Sequence, residues 1–130
     1  MKKFFTAVFI TFILAFLFEF IGFWQGMVIA GIAGSLTINR ASQAFFAAFL
    51  GVFLCWFLIL LYGEIFHQIL PIMKITAKIL MLPENLSWLI FLITMLLGGI
   101  LGGLGALNGF YWKKIFFTKK QLESQLIKNG

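Results

Sequence analysis

A chain of 130 residues that is 62% hydrophobic and only 11% charged cannot hide its apolar surface in a water-soluble fold, since soluble domains run at roughly half apolar and a quarter charged. Lipid is therefore the expected solvent, and the cell membrane the expected location. The net charge of +6 sits mainly at the ends, on Lys2 and Lys3 and on Lys113, Lys114, Lys119, Lys120 and Lys128, not in the stripe of a nucleic-acid binder, so nucleic acid is excluded as the main partner.

The first apolar run, 4–38, is too long for one spanning helix of about 20 residues and just long enough for two short ones. Helices over 4–21 and 24–38 are predicted, joined by a tight turn. Gly22 and Gly26 give that turn backbone freedom, and Trp24 and Gln25 suit an interface. The residues around Phe18-Glu19-Phe20 are bulky and lack a small-x-small cleavage pattern, so the first span is expected to remain uncleaved. Further spans are predicted over 44–62 and 86–111. Between them, His67, Pro71, Lys74 and Lys78 recur at helical spacing. Two lysines at mid-membrane would cost about 2.5–3.5 kcal/mol each. The segment 72–82 is therefore expected to lie in the interface plane with both lysines facing water, started by Pro71 and stopped by Pro83.

Charge asymmetry fixes the number of crossings. With four spans, Lys2, Lys3, Arg40 and the five tail lysines share one side, against Lys74 and Lys78 on the other. With three spans the split is nearly even. The positive-inside rule prefers four, with both termini cytoplasmic. The expectation is an all-α integral membrane protein, a four-helix transmembrane bundle over 1–112 with an interfacial amphipathic helix between spans three and four. A basic amphipathic tail, 113–130, is expected to rest on anionic lipid headgroups.

Small residues offer the packing surfaces, because close approach drives helix association in lipid. Gly26, Ala30 and Gly34 form one row. Ala47, Gly51 and Cys55 form another, and Gly98, Gly102 and Ala106 a third, with Gly99 and Gly103 beside it. The first span contributes Ala7, Thr11 and Ala15. Phe5, Phe9, Phe12, Phe16 and Phe23 make an aromatic face opposite. A compact bundle is expected, with stripes left over for another copy or for a larger membrane complex.

Glu19 is the sharpest functional candidate, because an acid within a span is a functional-site hypothesis by default. The charge count moves it from mid-membrane to an outer turn, where it can serve an ion or substrate together with Gln25, or cap the turn. Glu64, His67 and Glu84 are expected to form an outer polar cluster. One cysteine and one histidine offer no disulfide, metal centre or nucleophile–base set, so no enzyme and no cofactor is expected. Four spans, a short chain and an acid in the first helix resemble the small multidrug resistance exporters. That likeness covers only architecture and Glu19, and the charge bias, the long 63–85 connection and the later helices depart from it. The run Gly102-Gly103-Leu104-Gly105-Ala106-Leu107 is superficially similar to the glycine-rich motif of small fluoride channels, but lacks the arginine that should follow. No family is assigned. A structural or accessory membrane role is expected first, a proton- or cation-coupled transporter or channel using Glu19 second, and a holin-like permeabiliser third.

Overall fold

A computed structural model describes the backbone of residues 2–129 and the side chains of residues 2–127. It is 87% helical, with no strand among the described residues. The helices are α1 (Lys2–Phe20), α2 (Gly26–Ser35), α3 (Ala41–His67), α4 (Leu70–Ile79) and α5 (Trp88–Asn129), with a 3₁₀ turn at Glu84–Leu86 before α5. Three helices, α1, α3 and the one containing α5, are long and apolar enough to cross a membrane. The predicted second span, 24–38, contracts to the ten residues of α2. At 1.5 Å per residue α2 is about 15 Å long, half the hydrocarbon thickness.

The turn after α1 follows from one glycine. Gly22 takes φ +80°. Its N–H donates to the Glu19 carbonyl and the Phe23 N–H to the Phe18 carbonyl, both at 2.9 Å. That pair of bonds is a Schellman motif, and the Phe18 and Phe23 rings supply its customary apolar contact, 6.1 Å between centroids. Gly26 does something other than the expected backbone freeing. It opens α2 and admits Phe18 of α1, whose Cβ and ring would collide with any side chain there.

From Gly26 the chain runs back along α1. Gly26 faces Phe18, and Gly34 faces Thr11 and Ala7, so α1 and α2 are antiparallel. Thr11 sits where three helices meet, wedged against Gly34 of α2 and Gly51 of α3. Its hydroxyl is buried with no hydrogen-bond partner among the described residues. Thr6, Thr76, Thr94 and Thr118 instead donate to the carbonyl four residues earlier. Thr11 thus contributes its shape, and its oxygen is a cost of about 1–3 kcal/mol. Thr11→Val is expected to raise the melting temperature in detergent by several degrees; an unchanged or lower value would mean that the hydroxyl has a hydrogen-bond partner.

Glycine notches receive larger side chains along α5. Gly98 takes the Trp56 indole, Gly99 and Gly103 the rings of Phe49 and Phe45, and Gly102 takes Val52, all from α3. On the adjoining face, Gly105 lies on the Val28 backbone and Gly109 on Ile32 and Ser35, while Gly31 of α2 lies on the Gly102 carbonyl. Each glycine costs a helix about 1 kcal/mol relative to alanine. That cost is offset by contacts between backbones that no other residue permits. Ala30, Ala47 and Ala106 are buried in the same interior. All the expected small-residue rows are therefore spent inside the chain, and none is left over.

Lys113 closes one end. Its ammonium donates to the Leu36 carbonyl at 2.6 Å and reaches the Ile38 carbonyl at 3.5 Å. A cation at the carbonyl end of α2 satisfies groups the helix leaves open. Lys113→Met is expected to cost about 1 kcal/mol, read as a lower melting temperature that Lys113→Arg largely restores; equal melting of the Met variant and the parent would refute the cap.

The tail does not begin a new element. α5 passes through Lys113 without a break and continues to Asn129, with Leu122, Leu126 and Ile127 exposed. The side chain of Lys128, counted among the tail lysines, and Gly130 lie outside the described residues.

Candidate functional site

Glu19 occupies the last turn of α1, at the end opposite Lys113. It is half-buried. One carboxylate oxygen, Oε1, is shut from solvent and accepts no hydrogen bond among the described residues. Gln25, the expected companion, is exposed at the N-cap of α2 and makes no capping bond. It is not among the residues that line the groove Glu19 faces.

That groove runs between α1 and α3. Its volume is about 610 Å³, and beside Glu19 its walls are Phe16 and Phe20 of α1 and Leu58, Tyr62, Ile65 and Phe66 of α3. The spacing follows from the helices. Phe16, Glu19 and Phe20 share one face at i, i+3 and i+4, as do Leu58, Tyr62, Ile65 and Phe66. Large side chains hold the two helices apart here, whereas Thr11 and Gly51 draw them together further along. The rim residues Phe20, Ile65 and Phe66 are exposed, so the groove opens to the outside of the helices.

The outer polar cluster is not assembled. Glu64 uses Oε2 to accept the Leu70 N–H at 2.9 Å, capping α4. Glu84 pairs with Lys78 at 2.7 Å, both side chains exposed, an arrangement worth little by itself. His67 ends α3, exposed, its ring edge-on to Tyr62. No three of His, Cys, Asp and Glu gather at metal-binding distance among the described residues. The chain enters α4 through Gln68, held at φ 48°, and leaves it through Met81 at φ 57°. These two turns lie between Glu84 and the pair Glu64 and His67, which share the last turn of α3.

Opposite Glu19, the basic residues converge. Lys3, Arg40 and Gln43 line a second groove with Phe4, Phe5 and Ile38, and Ile38 is the residue whose carbonyl Lys113 approaches. Ile38 packs with Ala7, Ala44 and Ala106 and against Phe4. The start of α1, the loop after α2, the start of α3 and the middle of α5 thus share one end. Sequence reasoning missed Lys113 as a cap and Gly31, Gly105 and Gly109 as contact points. Their signal was available, since Gly105 and Gly109, like Gly31 and Ser35, are spaced by four. No protein-family model, no curated protein and no solved structure matches the chain.

Proposed function

We propose that the chain is a cell-membrane protein that crosses the bilayer four times, with both ends cytoplasmic, and that its role is structural or accessory. It is a self-packed helical unit that seats against further copies or within a larger membrane complex. The observation that carries this reading is the gathering of Lys3, Arg40 and Lys113 at one end, with α4 and its two lysines following the other end of α3. Cations on one side are what the positive-inside rule requires of an even number of crossings. The short α2 is lengthened by its flanks: Gly26 lies beside Phe18 and Ile38 beside Ala7 and Phe4, so this arm travels nearly the length of α1.

A partner meets large side chains, because the small ones are buried. Phe9, Phe46, Leu54 and Leu97 are exposed, in keeping with a lipid-facing or partner-facing exterior. The topology is tested in a Cys55→Ala background with single cysteines at Lys78 and Lys120. An impermeant maleimide should label the first in intact cells and the second only after permeabilisation; equal labelling of both in intact cells refutes four crossings. The accessory role predicts co-purification of a partner or self-association in mild detergent, and a lone monomer at every concentration overturns it.

A second reading, a small transporter or channel moving protons or cations through Glu19, is favoured by the unpartnered Glu19 oxygen alone. Glu19→Gln would then abolish flux in proteoliposomes, and unchanged flux excludes it.

A further inference from the structure

We infer that the groove between α1 and α3 holds the headgroup of a membrane lipid bearing a primary ammonium, with Glu19 as its acceptor. The inference needs only that α1 and α3 face lipid, and is independent of the structural role and the number of crossings.

Three observations narrow the occupant. The first is the acceptor itself. Glu19 Oε1 is sealed from solvent without a donor among the described residues, although the Gln25 amide stands six residues away in sequence. A carboxylate oxygen away from water is costly unless something donates to it. Glu19 as a whole is half-buried and lines the groove, so a cationic group lying there offsets that cost through the accessible part of the carboxylate.

The second is the shape and chemistry of the space. A groove of about 610 Å³ walled by Phe16, Phe20, Leu58, Tyr62, Ile65 and Phe66 fits an apolar body with one polar end. Its rim is made of exposed apolar side chains, so entry is from the bilayer side. A bare or hydrated metal ion does not suit it. Calcium takes roughly six to eight oxygen ligands, and Glu19 is the one carboxylate in these walls.

The third is position. Glu19 lies in the last turn of α1, two residues before the Trp-containing turn at 21–25 begins. Tryptophan favours the headgroup level. A lipid headgroup bent toward the helices reaches that level, with its chains lying along the groove.

Among lipids whose headgroup carries a cationic nitrogen, hydrogen bonding selects the type. A primary ammonium has N–H groups to give the Glu19 carboxylate, whereas a choline headgroup has none. The aromatic walls attract either cation, so Glu19 is the residue that discriminates.

The test is competitive retention. The purified protein is equilibrated in micelles with equal amounts of phosphatidylethanolamine and phosphatidylcholine of the same chains, and bound lipids are counted by native mass spectrometry. The parent chain should keep the ethanolamine lipid about tenfold over the choline lipid, the scale of one charged hydrogen bond. Glu19→Gln, with unchanged helix content and oligomeric state, should bind the two alike. Leu58→Trp, which fills the groove and leaves Glu19 in place, should lose both lipids. Equal retention by the parent, a preference that survives Glu19→Gln, or a preference that survives Leu58→Trp each overturns the assignment.

Discussion

A Gly105→Val chain is expected to lose the packing of α2 on α5 and to elute from detergent as an expanded or aggregated species. The Cβ of any residue at this position points into the backbone of α2. It meets the Val28 carbonyl oxygen, with the Val28 carbonyl carbon and Cα each 3.0 Å away. A side chain in the way can change rotamer, but a helix backbone cannot. The opposing position is equally closed, since Gly31 of α2 lies on the Gly102 carbonyl of α5. α2 has only ten residues, and α5 is its most extensive partner beside α1 and α3. Overpacking a core usually costs about 1–3 kcal/mol, and a clash between main chains belongs at or beyond the upper end. Gly63→Ala is the control, because its new Cβ would meet the mobile end of Ile69 at 3.1 Å. Its expected effect is within about 0.5 kcal/mol. The comparison is made by thermal unfolding and size-exclusion chromatography. If Gly105→Val melts like the parent, α2 and α5 do not approach as described.

This contact shows why part of the fold was legible and part was not. Rows of small residues at spacing four mark helix faces that can approach closely, and Gly26, Gly34, Gly51 and Gly102 do so here. Which row meets which is a property of three dimensions. Gly31 and Gly105 lie beside the rows singled out from sequence, and they matter because α2 is shared by α1, α3 and α5. Helix ends were misjudged where charge was taken as a boundary. Lys113 and Lys114 end the apolar run, but lysine is a good helix former, and neither Pro nor Gly follows until the terminus, so α5 continues. The same holds at Gly63–His67, where α3 passes the polar residues before the left-handed Gln68 ends it.

At the candidate site, the acid was legible and its surroundings were not. An isolated carboxylate between phenylalanines stands out in any sequence. The other wall of its groove comes from α3, about forty residues away. Glu64 and Glu84 looked like partners of His67 because all were placed on one side of the membrane. Each had a nearer obligation: Glu64 to the open N–H at the start of α4, and Glu84 to Lys78. Local satisfaction of backbone and charge outcompeted assembly of a cluster.

Glu19→Leu should therefore make the protein more stable and less discriminating. In a detergent without amino lipids, the parent chain keeps a carboxylate oxygen out of water with no donor among the described residues. A charged side chain costs about 2.5–3.5 kcal/mol at the centre of a span and less towards its end. Leucine removes that cost and adds apolar contact with Phe16, Leu58 and Phe66. The expected gain is about 2 kcal/mol, seen as a higher melting temperature. Adding phosphatidylethanolamine should raise the parent and leave the variant where it is, because a ligand stabilises only the chain that binds it. The gap between them then narrows. Phosphatidylcholine should not narrow it. If Glu19→Leu melts below the parent in plain detergent, the carboxylate already has a partner that supports the fold. A stabilising substitution at the one acidic residue of α1 is the pattern left when a residue is kept for what it binds at the expense of stability.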